Sequence, residues 1–393
     1  MKIALVVSDL TFPAKEGLHQ QSLSMAAQLI RHGVDVDLYG FTKEANHLDR
    51  ALMLATMGID FVLAPISYSG STLLRGIRHS LPLLPHSQVR RLVDHLLSGG
   101  YDVVHLEGVA ATPLVFHLSG QKVVLGMVDP GSLRNLRMSK VAITGISRLA
   151  RLVAAGVFFA LEARMSRVKA PWHVVSEDDA AFLRRRHRNH EVWSIPVALP
   201  SAVEKRCNRL SHDGVFDSVH VVIYSDLRQR HNRSALGEFI SQVLRRSVHA
   251  RDVHFTVLGR VPASSRLLAQ FNGFDVTIVE WAEDYIGVLC SADLVILPDT
   301  VGTGIKNRAV QSLALGRAVL GTVVAFEGIP MEGMPGIVAR SNAEMLIGFD
   351  HMISDPELRK SCGEAGQEFA RKSFGSEAVT ARWLQRYRNL VEP

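Results

Sequence analysis

Cysteine is scarce, and long apolar runs are missing, in this chain of 393 residues. The 3 cysteines, Cys207, Cys290 and Cys362, lie far apart and match no metal-binding spacing. Such an odd, sparse set argues against a disulfide framework and favours a reducing compartment. The longest apolar stretch, residues 152–161, falls far short of the roughly 20 residues that span a membrane. The first residues, Met1–Ser8, read as a strand rather than a signal peptide, so we expect a cytoplasmic protein.

Patterns typical of nucleic-acid binding are also missing, although the chain carries a net charge of +6. A basic chain favours anionic partners such as nucleotides or acidic lipid head groups. Nucleic acid is the weakest of these candidates, because aromatic residues make up only 7% and do not interleave with the basic ones. Hydrophobic content of 47% and charged content of 21% indicate a globular protein, and the length suffices for two domains.

Short apolar runs alternate with helical patterns through both halves of the chain. The runs predicted as strands are residues 3–7, 34–41, 59–64, 102–107, 123–128, 172–176, 219–224, 253–258, 276–279, 293–298 and 318–322. The helical patterns cover residues 17–32, 45–57, 235–244, 284–290, 343–353, 356–374 and 376–391. This alternation predicts an α/β fold in which parallel sheets are covered by helices on both faces, with right-handed crossovers.

The alternation pauses between residues 196 and 217, which divides the chain into two predicted domains. Residues 205–217 are polar and show no periodicity, and we interpret them as the linker. The predicted domains are residues 1–200 and 201–375. In such sheets, ligands bind beyond the carboxyl ends of the strands. Chain order therefore brings several polar and glycine residues towards one shared cleft: Gly17, Glu107, Asp129, Arg228, Gly259 and Lys306.

The stretch from Gly302 to Gly316 lies between two predicted buried strands and carries the strongest candidate binding motif. Gly302 and Gly304 allow a tight turn whose amides point at the start of a helix, and Asn307 is predicted to cap that helix. The helix dipole behind such a turn suits a phosphate group, and Lys306 adds a full positive charge. Glycine spacing alone is a weak signal, and an ordinary strand-to-helix turn explains it equally well.

The region from Gly302 to Thr322, with Glu327-Gly328-Ile329 beyond it, resembles the nucleotide-sugar motif of retaining GT-B glycosyltransferases. The branch it resembles includes many lipopolysaccharide, exopolysaccharide and mannosyl transferases. Weaker similarities follow in the expected order over nearly the whole chain: residues 13–17, 29–37, 101–105, 175–179, 195–196, 223–225, Asn232 and 257–259. The resemblance implies the GT-B architecture, two Rossmann-like parallel-sheet domains facing a central cleft. It also implies that the last helix, residues 376–393, joins the N-terminal domain.

This resemblance implies a retaining transfer of a sugar from a nucleoside-diphosphate sugar, without a metal or a cofactor. Because negative charge grows on the leaving diphosphate, backbone amides and cations must stabilise it. That role falls to Lys306 with the amides from Gly302 to Ile305. The donor contacts implied are Gly17, Gly259, Gly302, Thr303, Gly304, Ile305, Asn307 and Gln311. The acceptor, a glycan, a lipid-linked molecule or a small molecule, would enter over the N-terminal domain.

Two positions depart from the family's pattern. Gln311 stands where the family often has an acidic residue for the ribose hydroxyls, so it keeps an acceptor but loses the charge. Asp226 and Arg228 follow the first C-terminal strand, where the family commonly has a second basic residue. Either Arg228 supplies that cation or the diphosphate clamp is weakened. These departures keep open a non-catalytic GT-B protein that binds a partner or glycan. A nucleotide-sugar epimerase also stays open, because the same fold hosts that activity.

Two further features of the N-terminal half are candidates for function. Glu107 ends the predicted strand 102–107 and is a candidate to contact the acceptor or the sugar, whereas His105 is expected to be an ordinary core histidine. The basic segments 75–91 and 148–167 suit an anionic membrane surface if they form one face. The simpler interpretation of the second segment is a helix of the N-terminal domain with a solvated basic face.

Overall fold

The computed structural model describes nine ranges of the chain: residues 1–7, 17–42, 60–65, 86–108, 111–142, 144–207, 218–260, 267–302 and 304–392. For residues 17–20, 41–42, 60–65, 86–89 and 268 it describes the backbone only. Several predicted features lie outside these ranges: the loop at 13–16, the helix at 45–57, the basic residues 75–85, the linker residues 208–217 and Thr303. The chain forms two compact units, Met1–Ala198 with Ser376–Pro393, and Leu199–Gly375.

The N-terminal unit is built on a parallel sheet with seven strands among the described residues. Along the chain these are β1 (Lys2–Val7), β2 (Asp35–Thr42), β3 (Asp60–Pro65), β4 (Val103–Glu107), β5 (Val123–Val128), β6 (Trp172–Val174) and β7 (Val192–Ser194). They pair in the order β3-β2-β1-β4-β5-β6-β7. Residues 3–7 of β1 are completely buried, as expected for a central parallel strand that is covered on both faces.

Helices flank this sheet: α1 (Gly17–Arg31), α2 (His86–Ser98), α3 (Gly131–Lys140), α4 (Gly145–Met165) and α5 (Glu177–Arg186), with a short 3-10 helix at Thr112–His117. A capping box between Thr144 and Ser147 starts α4, and Ser176 caps α5. The final helix, Ser376–Val391, also belongs to this unit, because Trp383 and Tyr387 pack into its core.

The C-terminal unit contains a second parallel sheet, with six strands among the described residues. Its strands are β8 (Val219–Tyr224), β9 (Val253–Leu258), β10 (Asp275–Val279), β11 (Leu294–Leu297), β12 (Ala318–Thr322) and β13 (Ile337–Ala339). They pair in the order β10-β9-β8-β11-β12-β13. The two sheets confirm the predicted α/β fold class.

The C-terminal helices are α6 (Ser201–Cys207), α7 (Arg230–Phe239), α8 (Tyr285–Cys290), α9 (Asn307–Ala314), α10 (Asn342–Ser354) and α11 (Pro356–Phe374), with a π-helical segment at Ile240–Leu244 and a 3-10 helix at Leu268–Phe271. Residues 205–207 of the predicted linker therefore lie in a helix of this unit, and the units divide between residues 198 and 199. The sequence pattern predicted the boundary between the two domains at residue 200. Along the described residues, no helix combines the length and the apolarity needed to cross a bilayer.

Candidate functional site

The candidate site lies at the carboxyl edge of the C-terminal sheet, between β8 and β11. These two strands are neighbours, yet the sheet continues from β8 to β9 and β10 on one side and from β11 to β12 and β13 on the other. This reversal of strand order is a topological switch point, and such points form crevices where α/β sheets bind ligands. Asp226 follows β8 and Asp299 follows β11 at this edge, and the turn with Gly302 and Gly304 comes next.

Lys306 and the start of α9 lie together at this turn. Gly304 adopts the left-handed conformation with φ of 64°, which a side chain would disfavour. The Lys306 Nζ donates a hydrogen bond to the Gly304 carbonyl oxygen at 2.9 Å, and a Cβ on Gly302 would come within 2.7 Å of that Nζ. A lysine charge and the positive end of a helix dipole thus meet at one turn.

The residue that precedes α9 is Lys306, so the prediction that Asn307 caps the helix was wrong. Asn307 is the first helical residue, and the Lys306 carbonyl oxygen accepts the first hydrogen bonds, from Ala309 at 2.9 Å and Val310 at 3.3 Å. Ile305 is half-buried and packs on the core of the C-terminal unit. Asn307 therefore belongs to the first turn, where helix amides face outward without intrahelical acceptors.

Arg228 forms a two-pronged ion pair with Asp226. Its Nε and Nη2 donate to Asp226 Oδ1 and Oδ2 at 2.8 and 3.0 Å. The hydrogen bond from Arg228 is the main cause that lowers the pKa of Asp226, so the carboxylate stays ionised. The Arg228 side chain is 62% exposed, but most of its charge is balanced by its partner. Arg228 therefore reaches this edge of the sheet as a paired cation.

Three charged or titratable residues at this edge were missed by sequence reasoning. Asp299 is buried, and Arg308 donates a hydrogen bond to it. His231 lies within reach of both charges, and its pKa is lowered, mainly by burial. Asp299 could have been found, because it directly follows a predicted strand. Arg308 and His231 carried no signal of their own, since their role depends on the fold that brings α7 and α9 to this edge.

Gln311 faces inward and hydrogen-bonds the hydroxyl of Tyr285. Burial raises the pKa of Tyr285 to about 12, so this hydroxyl is neutral. The ring of Tyr285 lies 6.3 Å from that of Tyr224, centre to centre, at the end of β8. Gln311 therefore belongs to a small polar and aromatic group beside the turn at Gly302, within the same unit.

The backbone at position 259 requires a glycine. The φ of Gly259 is 150°, and a Cβ would collide with the Ser225 carbonyl oxygen, so only glycine allows β8 and β9 to end this close together. Gly17, the other glycine predicted to approach the donor, is the first residue of α1 in the N-terminal unit. Thr303 lies outside the described residues.

Glu107 is buried in the core of the N-terminal unit, with 1% of its surface exposed. Its Oε2 lies 2.8 Å from His105 Nε2 and 3.9 Å from His173 Nδ1. Burial acts to raise the pKa of Glu107, but the hydrogen bond from His105 and the two imidazoles outweigh it and lower the pKa. Two histidines therefore enclose the Glu107 carboxylate in the core, and its contact with the acceptor or the sugar stays a prediction.

Comparisons with known proteins concern both the C-terminal unit and the whole fold. Residues 219–353 match the model of the family described as "Glycosyl transferases group 1". Among solved structures, sucrose-phosphate synthase from Thermosynechococcus elongatus is 16% identical with a TM-score of 0.65, and the match covers 99% of each chain. A glycosyltransferase from Rickettsia africae is 14% identical with a TM-score of 0.66, over 100% of this chain and 98% of the other.

HepE from Anabaena, solved in complex with UDP and glucose, is 14% identical with a TM-score of 0.65, over 99% of this chain and 100% of that one. At these identities the likeness shows a shared fold, the GT-B fold of two Rossmann-like units. No match was found among curated proteins.

Proposed function

We propose that this chain, which has the GT-B fold, is a glycosyltransferase that transfers a sugar from a nucleoside-diphosphate sugar to an acceptor. The observation that carries the proposal is the turn from Gly302 to Lys306, where a lysine charge and a helix start meet at the switch point of the sheet. The family match over residues 219–353 includes this turn and both strands beside it.

In the proposed reaction, the bond between the anomeric carbon and the diphosphate oxygen breaks, and a bond to the acceptor oxygen forms with retained stereochemistry. Negative charge grows on the departing diphosphate, and donors that are already oriented towards it lower the barrier. Lys306 and the first amides of α9 supply this stabilisation. The scheme uses no metal or cofactor, because charges of the protein itself act on the diphosphate.

The nucleoside of the donor is proposed to bind beside this turn, against Gln311 and the rings of Tyr224 and Tyr285. An amide group offers both a donor and an acceptor to ribose hydroxyls, and aromatic rings offer flat apolar surface to a base. HepE from Anabaena was solved with UDP and with UDP-glucose, so these two molecules are the first probes to use.

A non-catalytic GT-B protein that binds a partner or a glycan is the second candidate. Two observations favour it: Asp226 balances the charge of Arg228, and Glu107 is enclosed in the core. Both affect groups that the sequence had offered for catalysis, Arg228 as a second cation and Glu107 as a contact to the acceptor or the sugar. The two candidates differ in whether a nucleotide sugar binds at all.

The decisive experiment measures donor binding by calorimetry and donor turnover by release of nucleoside diphosphate, which needs no known acceptor. We expect Lys306→Ala to lower turnover by about 100-fold or more, roughly 3 kcal/mol, as loss of a preorganised donor does. Donor affinity should fall less, since the charge of Lys306 matters most as the diphosphate leaves. Lys372→Ala, at an exposed position of α11, is the matched control.

Three results would redirect the proposal. Failure of every nucleotide and nucleotide sugar to bind would favour the non-catalytic candidate. Conversion of the donor to an isomer without transfer would favour an epimerase. Unchanged binding and turnover in Lys306→Ala would mean that the turn at Gly302 only connects a strand to a helix.

The acceptor is proposed to be a lipid-linked molecule or glycan at the inner face of an anionic membrane, in polysaccharide or glycolipid synthesis. On α4, Ile146, Leu149 and Val153 are 84%, 63% and 46% exposed and recur at helical spacing on one face. Arg148 and Arg151 are exposed beside them. An apolar face flanked by arginines suits anionic lipid.

Vesicle sedimentation tests this contact. Ile146→Asp should reduce binding to anionic vesicles, whereas Ile347→Asp, at a 57% exposed position of the C-terminal unit, should not. Equal recovery of the wild type with anionic and neutral vesicles would remove the electrostatic case for a lipid-linked acceptor.

A further inference from the structure

Three buried side chains of the N-terminal unit converge on one point of its core. His105 and Glu107 project from the same face of β4, two residues apart, and His173 projects from β6. The strand between them, β5, carries Gly126, where any Cβ would collide with the Glu107 carboxylate. One ligand atom from each of the three side chains lies within 4.8 Å of the others, and all three residues are at most 1% exposed.

The hydrogen bond of His173 fixes the form of its ring. Its Nε2 lies 2.9 Å from the Ile195 carbonyl oxygen, which can only accept, so Nε2 carries the proton. In the neutral ring, Nδ1 then presents a lone pair, and it makes no hydrogen bond within the described residues. This lone pair faces the Glu107 Oε2 at 3.9 Å. The His173 lone pair and the Glu107 carboxylate are both groups that bind metal cations, and a cation between them would satisfy the buried His173 Nδ1.

The ring of His105 is arranged like that of His173, with one nitrogen near Glu107 and the other near an oxygen atom. Its Nδ1 lies 2.6 Å from the hydroxyl oxygen of Tyr387, on the final helix. Without a metal, Nε2 is placed to donate a hydrogen bond to Glu107 Oε2, 2.8 Å away. A metal ion would take the place of that proton, with Nδ1 donating its own proton to the Tyr387 oxygen and the Nε2 lone pair binding the ion. Histidines that bind metals usually donate their second ring N–H to a carbonyl or another oxygen, which fixes the ring. Both histidines here have an oxygen in that position.

We propose that His105 Nε2, His173 Nδ1 and the Glu107 carboxylate bind one divalent transition-metal ion, with zinc as the best chemical fit. A tetrahedral zinc with ligands at about 2.1 Å separates neighbouring ligand atoms by about 3.4 Å. Glu107 Oε2 lies 2.8 Å from His105 Nε2 and 3.9 Å from His173 Nδ1, one distance below that value and one above it. Two histidines and a glutamate are a known zinc ligand set, and binding through both carboxylate oxygens would bring the number of protein donor atoms to four.

Such an ion has a structural role, since its ligands are enclosed in the core. It ties β4 to β6 and, through the hydroxyl of Tyr387, fixes the final helix on the sheet. The proposal departs from the expectation that this chain has no metal ligands. It is independent of the proposed transfer reaction, whose residues lie in the C-terminal unit.

The test measures metal in the full-length protein, expressed with added zinc and purified by gel filtration. We expect close to one zinc per chain by mass spectrometry of the elements. Glu107→Gln and His173→Gln, which keep size and polarity, should lower that content about tenfold or more. His220→Gln is the control, because His220 is also a buried, hydrogen-bonded histidine but lies in the other unit.

Thermal unfolding gives a second readout that does not depend on activity. Protein stripped with a chelator should unfold at a lower temperature and recover when zinc is added back, in the wild type and in His220→Gln only. Less than about 0.1 metal ion per wild-type chain, with no shift on adding zinc, would overturn the proposal in favour of hydrogen bonds alone. If the ligand variants do not fold, the visible absorption spectrum of Co²⁺ added to stripped wild-type protein gives the answer. A spectrum typical of tetrahedral cobalt supports the site, and one typical of octahedral cobalt refutes it.

Discussion

Asp226→Asn should strengthen the binding of a nucleoside diphosphate, although it removes a charged residue from the candidate site. In the structure the Asp226 carboxylate holds the Arg228 guanidinium by two hydrogen bonds of 2.8 and 3.0 Å. The same carboxylate repels any phosphate that approaches Arg228. Asparagine keeps a similar shape and one acceptor, but it removes that repulsion and frees the guanidinium to bind a phosphate.

The size of the effect follows from the geometry of the pair. A phosphate on the outer edge of the guanidinium would lie about 7 Å from the carboxylate, and each unit of phosphate charge would then be repelled by about 0.6–1.2 kcal/mol at an effective dielectric of 40–80. This high dielectric is appropriate because Asp226 is 35% exposed. Removing the repulsion should tighten binding about three- to eightfold at low salt, and less as salt increases.

The assay is calorimetric titration with UDP at low and high salt, over a cycle of four proteins. Arg228→Ala should have little effect in the wild type, where the charge is already balanced, but should abolish the gain in the Asp226→Asn background. Asp252→Asn is the control, because Asp252 precedes β9 and lies at the opposite edge of the sheet. Unchanged affinity in Asp226→Asn at low salt would show that the ligand does not reach Arg228, and would leave Lys306 as the cation to test.

Three further results are expected. Gln311→Ala should weaken nucleotide binding about fivefold, by loss of one hydrogen bond, with little change in single-turnover rate. Gly259→Ala should lower the unfolding temperature by several degrees, since a Cβ collides with Ser225 and costs about 3 kcal/mol; an unchanged midpoint would contradict this. The pKa of His32 is raised, first by a backbone carbonyl of α1 and then by Glu377. This contribution to stability is therefore present below about pH 6.5 and lost as the pH rises through the raised pKa, so the difference in unfolding temperature between wild type and His32→Gln should shrink over that range.

The sequence predicted the fold well because central parallel strands are continuous apolar runs. Residues 123–128, 219–224, 253–258 and 318–322 were predicted with the bounds that the structure has. The edge strands β7 and β13, of three residues each, were missed. The strand β6 is as short but was predicted, because it lies in the longer run 172–176. Local patterns therefore miss the shortest edge strands, whereas the longer edge strands β3 and β10 were predicted to within one residue of their bounds.

Side-chain partners could not be read from the sequence in the same way. Glu107 was expected to contact a ligand because it ends a strand. It lies two residues after His105, so both side chains project from the same face of β4 into the core, where Gly126 of the next strand leaves room for the carboxylate. Arg228 and Asp226 were both recognised, yet only the structure shows them paired. The cap of α9 was misplaced by one residue, because asparagine is a common cap, whereas the turn at Gly304 fixes Lys306 in that position.

The final helix makes the N-terminal unit discontinuous in sequence, with the whole C-terminal unit inserted before its last element. The hydrogen bond between His105 and Tyr387 joins residues 282 positions apart. During synthesis, residues 199–375 leave the ribosome before the helix that completes the first unit, so the inserted unit can finish folding first. Until Tyr387 arrives, the core around His105 stays open on one side. Completion of the N-terminal unit therefore follows synthesis of the whole chain, and in refolding it requires the closure of a long loop.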